Sequence, residues 1–396
     1  MKKKLVATAC LVLFFLNTLA CTTFFLNKNG QSVFGRNYDW VTGTGMVHIN
    51  SRGLSKYSIA DNSLKWTSKY GSITFNQYGK ENPTGGMNEK GLVIELMWLE
   101  GSEYPKPDER PAVGVLQWIQ YNLDNAATVE EVIASDIKVR IKNEHSTPLH
   151  YLVADAKGSV ATIEFLDGRM VAHTGKDLKF PVLTNSIYSE SVRKTAPAIS
   201  GNKDLPFTDN SLERFATACK MVNEYETIPK NVSPVDYAFQ ILGSVSQSNF
   251  TKWSIAYDIT GRKIHFQTKE FGDRKTVDMN AFDFGCHQSH LAYNMNQKGS
   301  GDVSERFIRG SFALNKSIIE KAIQETGSRL SISREAVEAS ADLFRFSECF
   351  ADAKNASHLL MSDNNNWRKN ILLILALAFL ALCVKPLILA RNRSGF

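Results

Sequence analysis

A cysteine follows an alanine in the stretch Leu16-Asn-Thr-Leu-Ala-Cys21-Thr-Thr-Phe-Phe-Leu26. Met1-Lys-Lys-Lys4 is a basic n-region, Leu5 to Leu16 an apolar h-region, and Asn17 to Ala20 a polar-to-small cleavage region. Together they read as a signal peptide over residues 1–20. Cleavage after Ala20 makes Cys21 an N-terminus, where its thiolate is a nucleophile and its own α-amine, with a reference pKa near 7.7–8.0, is a base. The competing chemistry is lipid attachment to the thiol. A lipoprotein signal carries Leu three residues before the cysteine. Here Thr18 holds that place, and Thr18-Leu-Ala20 fits small-x-small cleavage better.

Such a pair also needs a cation to favour thiolate and a carboxylate to hold the ammonium form. The stretch Phe34-Gly-Arg-Asn-Tyr-Asp-Trp40 supplies both in Arg36 and Asp39. The turn Asn27-Lys-Asn-Gly30 predicts a hairpin that brings them back alongside Cys21. Beyond it, Gly91–Leu99 reads as a buried strand, and Ala112–Asn122 and Thr128–Ser135 as helices, Thr128 with Glu131 forming a capping box. Short strands follow at 150–154, 159–165 and 169–173, then a helix at 209–222. A second hairpin turns around Thr260-Gly-Arg262. Strands interleaved with paired helices predict two sheets with helices packed outside. After about Gly310 the texture becomes helical, at 314–326 and 334–350. Residues 371–390 are apolar except for Lys385 and Pro386, close to a membrane span with Arg391 and Arg393 on its cytoplasmic side.

The net charge of +6 belongs to the ends. Lys2 to Lys4, with Arg368, Lys369, Lys385, Arg391 and Arg393, account for all of it and leave −2 on residues 21–366. The body has no basic excess for a nucleic-acid partner. Of six cysteines, Cys10 and Cys383 lie in the end segments. The four in the body make no disulfide framework; they allow one bridge among Cys219, Cys286 and Cys349, and the sequence does not say whether or between which pair it forms. Cys286-His287-Gln-Ser-His290 has metal-like residue types but too few ligands, so no metal and no cofactor is expected.

The ordered set CTTF at the mature start, FGRNYDW, GGMNEKGL at 85–92, LTNS at 183–186, RF at 214–215 and TKWSIAYD at 251–258 resembles the choloylglycine hydrolase family over about Cys21–Gly310. That family comprises bile salt hydrolases, penicillin V acylases and their relatives. The resemblance implies an α+β, four-layer αββα N-terminal-nucleophile hydrolase that cleaves linear amides. It makes Cys21 the nucleophile, Arg36 and Asp39 its flanking charges, Asn185 the oxyanion donor and Arg214 an electrostatic support. Trp98 stands where bile salt hydrolases often carry asparagine and penicillin V acylases tyrosine. With Trp40 it suggests a flat apolar wall for a bulky acyl group. The expected organisation is a signal peptide at 1–20, a catalytic domain at 21–310, a helical extension at 311–366 and a hydrophobic, membrane-anchoring tail at 367–396. The expected protein is exported, periplasmic or extracellular, with its oligomeric state open. Its first-choice substrates are conjugated bile salts, ahead of penicillin V or acyl-homoserine lactones. A Cys21-acylated binding lipoprotein is the reading from another class.

Overall fold

The computed structural model describes residues 21–326 apart from 59, 62, 144–146, 202–209, 230 and 289, together with 338, 341, 348 and 349. The expected signal peptide and the candidate span at 371–390 lie outside these residues. Among the described residues, no helix is long and apolar enough to cross a membrane.

Two antiparallel-dominated sheets form the centre. The first runs, in spatial order, Val182–Leu183, Thr22–Lys28, Gln31–Asp39, Thr251–Asp258, Lys263–Thr268, Lys275–Asp278, Gly301–Asp302. The second has nine strands, with Met46–Asn50, Ser72–Asn76, Pro83–Asn88, Val93–Trp98 and Leu149–Ala154 among its interior members. Rings from the two sheets meet edge-on between them. The centroid of Phe75 lies 6.0 Å from Tyr257 and 5.7 Å from Phe266. Each such ring, fully buried, contributes on the order of 2–3 kcal/mol. Outside the nine-stranded sheet, Ile94, Tyr151, Ile163 and Phe165 pack on Trp118 and Ile119 of helix Val115–Asn125. Helices Asn210–Glu224 and Pro234–Ser244 cover the other sheet. This is the expected αββα order.

The first hairpin forms as its turn chemistry requires. Asn29 and Gly30 both take positive φ, at 54° and 75°, the two-residue loop whose twist suits antiparallel strands. It sets Thr23 opposite Arg36 and Thr22 opposite Asn37. The capping box is half formed. Thr128 accepts from Glu131 N, whereas the Glu131 carboxylate accepts from Ala127 N rather than from the cap residue.

Past residue 310 the helix Phe312–Thr326 is present and buries Asn315, Ile318, Ile319 and Ala322, positions that share one helical face. It braces two loops of the catalytic body. Asn315 Oδ1 accepts from Lys80 N at 3.1 Å, and the Glu325 carboxylate accepts from the Thr42 and Thr44 hydroxyls. The expected helix at 334–350 needs correcting at its end, because Glu348–Cys349 is a strand paired with Leu54–Tyr57. The reason is covalent and tertiary. Cys349 forms a disulfide with Cys286, Cα atoms 5.3 Å apart, and the sheet edge supplies the backbone partners. That choice leaves Cys219 a buried free thiol.

Candidate active site

The strand Thr22–Lys28 begins one residue after Cys21, at the end of the first sheet, and the hairpin brings Arg36 and Asp39 to the same end. Cys21 is buried, with Sγ 3.9 Å from the Asp39 carbonyl oxygen. Burial pushes its thiol up to about 11, and the Arg36 charge opposes that shift. Arg36 and Asp39 are wholly buried. Asp39 Oδ2 accepts a long bond, 3.5 Å, from Gln247 Nε2, and Oδ1 has no hydrogen-bond partner among the described residues. Burial raises this carboxyl to about 7, against a hydrogen bond from Thr251 and the charges of Arg214 and Arg36.

Arg214 enters from helix Asn210–Glu224 and is not the surface ion-pair residue that an isolated helical arginine would be. Its Nη1 donates to Cys21 O at 2.6 Å and to Thr22 Oγ1 at 2.5 Å. Its Nη2 donates to Asn185 Oδ1 at 3.0 Å, and its Nε to Asn210 Oδ1 at 2.9 Å. Asn185 follows the short strand Val182–Leu183 that pairs with the Cys21 strand, and its Nδ2 donates to Trp98 O at 2.8 Å. Nδ2 carries a second hydrogen for another acceptor. The guanidinium thus fixes which way the amide faces, oxygen toward Arg214 and nitrogen toward Trp98.

Trp40 and Trp98 line one cavity together with Cys21, Asp39, Tyr38, Tyr78, Thr84, Leu96, Leu116, Thr147 and Leu149. Trp40 Nε1 donates to Tyr78 OH at 3.1 Å and Trp98 Nε1 to Glu100 Oε2 at 2.8 Å. Both indoles therefore satisfy their N–H and present carbon to the cavity. All seven residues singled out in the sequence converge here.

The chain is 33% identical to the penicillin V acylase of Pectobacterium atrosepticum over 341 residues, 73% of this chain and 90% of that protein. The chain belongs to the choloylglycine hydrolase family. The pattern of that family, described as linear amide C–N hydrolases, matches residues 21–192, beginning on Cys21. A penicillin V acylase structure from Agrobacterium tumefaciens superposes with a TM-score of 0.64 at 29% identity, over 74% of this chain and 98% of that one. A conjugated bile acid hydrolase from Clostridium perfringens superposes with a TM-score of 0.59 at 17% identity, over 71% and 98%, and so shares the fold. The family places this chain among the N-terminal-nucleophile hydrolases that act on linear amides.

Several residues at the site were not anticipated. Glu95, which pairs with Arg36, is the clearest case. It sits in the apolar strand Val93–Trp98, fully buried, with Oε2 2.5 Å from Arg36 Nη1 in an ion pair that is not a linear hydrogen bond. Tyr257 OH donates to its other oxygen. The signal was available: one acid interrupts VIELMW, and a charge in a buried strand needs a partner. Gly85, directly opposite in the sheet, makes the room, because a Cβ there would lie 2.0 Å from the Glu95 carboxyl. Tyr78 and Thr147 come from loops whose sequence carries no comparable sign.

Proposed function

We propose that this protein is an exported acylase that cleaves the side-chain amide of penicillin V or an amide with a similar flat, apolar acyl group. Cleavage of the Ala20–Cys21 bond releases the base. The observation that carries the reading is the buried, unpartnered Asp39 Oδ1 beside a cysteine whose nitrogen is the group that processing would turn into an ammonium.

In this mechanism the α-amine of Cys21 takes the thiol proton as Sγ attacks the acyl carbon. Asp39 holds the resulting ammonium, and Arg36 favours the thiolate. The second N–H of Asn185 Nδ2 is the donor for the developing oxyanion, and Arg214 keeps that amide from turning over. The ammonium returns its proton to the departing amine, leaving an acyl thioester on Sγ. Water, deprotonated by the same amine, then releases the acid and restores the thiol.

For the acyl group, the indoles of Trp40 and Trp98 support a planar apolar moiety, and the relatives near 30% identity are penicillin V acylases. This moves the first choice from conjugated bile salts to the acylase reading, with bile salts second. Export is supported by the Cys286–Cys349 bridge, which suits an oxidising compartment.

Two measurements test the reading. The intact mass of the processed protein is expected to show an unmodified Cys21 N-terminus. A diacylglycerol adduct would favour the lipoprotein instead. Purified protein is expected to release phenoxyacetic acid from penicillin V faster than it cleaves glycine- or taurine-conjugated bile salts. The reverse order would overturn the substrate assignment.

A further inference from the structure

Arg36 stands between two acidic groups. On one side is the Cys21 thiol, and on the other the Glu95 carboxylate, brought from the opposite sheet. Its remaining contacts are neutral: Nη1 donates to Thr84 Oγ1 at 3.2 Å, Nη2 to Leu96 O at 3.4 Å, and the guanidinium stands 4.6 Å from the Tyr38 ring centroid. All of this is out of water, where a unit charge is screened far less than at a surface. Charge on Glu95 is therefore felt at Cys21 through the cation the two share.

We propose that Glu95, fixed by Tyr257 and housed by Gly85, is a positioning residue that sets how much of the Arg36 charge reaches the Cys21 thiol. With Glu95 ionised, the guanidinium is largely neutralised, and the thiol keeps its proton until the α-amine takes it. With Glu95 neutral, Arg36 keeps a full positive charge beside Sγ and the thiolate is favoured. The titratable groups facing Glu95 are Arg36, Tyr257 and, farther off, Tyr38. Burial raises the Glu95 carboxyl, while Arg36 and the Tyr257 hydroxyl oppose the rise. Neutralisation is thus within reach of mildly acidic conditions. The acid limb of the pH profile then reports Glu95 as well as Asp39.

The role in catalysis rests on Cys21 being the nucleophile, but the test does not require turnover. The rate of Cys21 alkylation by iodoacetamide is measured against pH in processed wild-type protein and in Glu95→Gln. Glu95→Gln is expected to shift the thiol titration down by about one unit, making alkylation about tenfold faster at pH above about 7, where wild-type Glu95 is ionised, with the two proteins converging at lower pH. An unchanged or upward-shifted titration in folded Glu95→Gln overturns the proposal. If that variant does not fold, Tyr257→Phe decides. It removes a donor that lowers the Glu95 carboxyl, so Glu95 stays neutral to higher pH and alkylation near neutral pH is expected to be roughly threefold faster. No shift there overturns the proposal. Failure of amide hydrolysis with the thiol shift intact would count against the proposed function and leave this role standing.

Discussion

Two buried clusters in this protein hold the same charges, two cations and two carboxylates, and use them in opposite ways. In the first, Lys56 Nζ lies 3.1 Å from Glu81 and 3.0 Å from Asp124, and Lys80 Nζ lies 3.3 Å from Glu81. Asp124 also accepts from Trp66 Nε1 and Gln120 Nε2, each at 2.8 Å. Every charge has a partner. Glu81 is held down at about 2 by Lys56 and Lys80 against the cost of its burial, and it tolerates a φ of 69° to be there. In the second, Arg36, Glu95, Arg214 and Asp39 surround Cys21. Arg36 pairs with Glu95, but Arg214 is committed to the Cys21 carbonyl, Thr22 and Asn185. No described cation forms an ion pair with Asp39, and burial wins. A matched buried cluster is scaffold. A mismatched one leaves a buried carboxylate without an ion-pair partner among the described residues, the arrangement on which the proposed function rests.

That contrast can be broken most sharply at Cys21. Cys21→Ala is expected to reduce amide hydrolysis by at least about 1000-fold while the thermal midpoint stays near wild type, because no paired charge is disturbed. Glu81→Gln should do the reverse. It removes the buried carboxylate that Lys56 and Lys80 share and is expected to cost about 3–5 kcal/mol in denaturant unfolding. Turnover per folded molecule should be little changed. The sign of the pH dependence follows from the depressed carboxyl. Glu81 stabilises the fold fully above its unfolded value, and that stability is lost as pH falls from about 4.5 towards the folded value near 2. Acid unfolding of wild type should show this slope, and Glu81→Gln should flatten it. Asp39→Asn is expected to lower kcat by about 100-fold with a far smaller loss of stability than Glu81→Gln. Equal destabilisation by the two variants would erase the distinction between the clusters. The smallest effect is expected at the outer brace. Glu325→Ala frees the Thr42 and Thr44 hydroxyls behind Trp40, and KM for the acyl substrate should rise about threefold with kcat unchanged.

The hairpin, the buried strand near Gly91–Leu99 and the convergence of Cys21, Arg36 and Asp39 were legible because each rests on neighbours in sequence. A two-residue turn and a period of two set which side chains meet. Asn185 and Arg214 could be named only through the family likeness. Their residue types have ordinary alternatives in a turn and on a helix surface, and what makes them different is Trp98 O and Cys21 O, brought from other strands.

By itself the sequence determined the chemistry that is covalently local: a thiol where a cleavage site is expected, and a cation and a carboxylate one hairpin away. Only the tertiary structure decided how those charges are spent. It set Glu95 of the opposite sheet against Arg36, turned Arg214 toward a backbone carbonyl instead of Asp39, and tied Cys349 to Cys286 across 63 residues. The physical reason is that pairing energies between buried charges depend on distance and exclusion of water, and both are set by strands far apart in the chain.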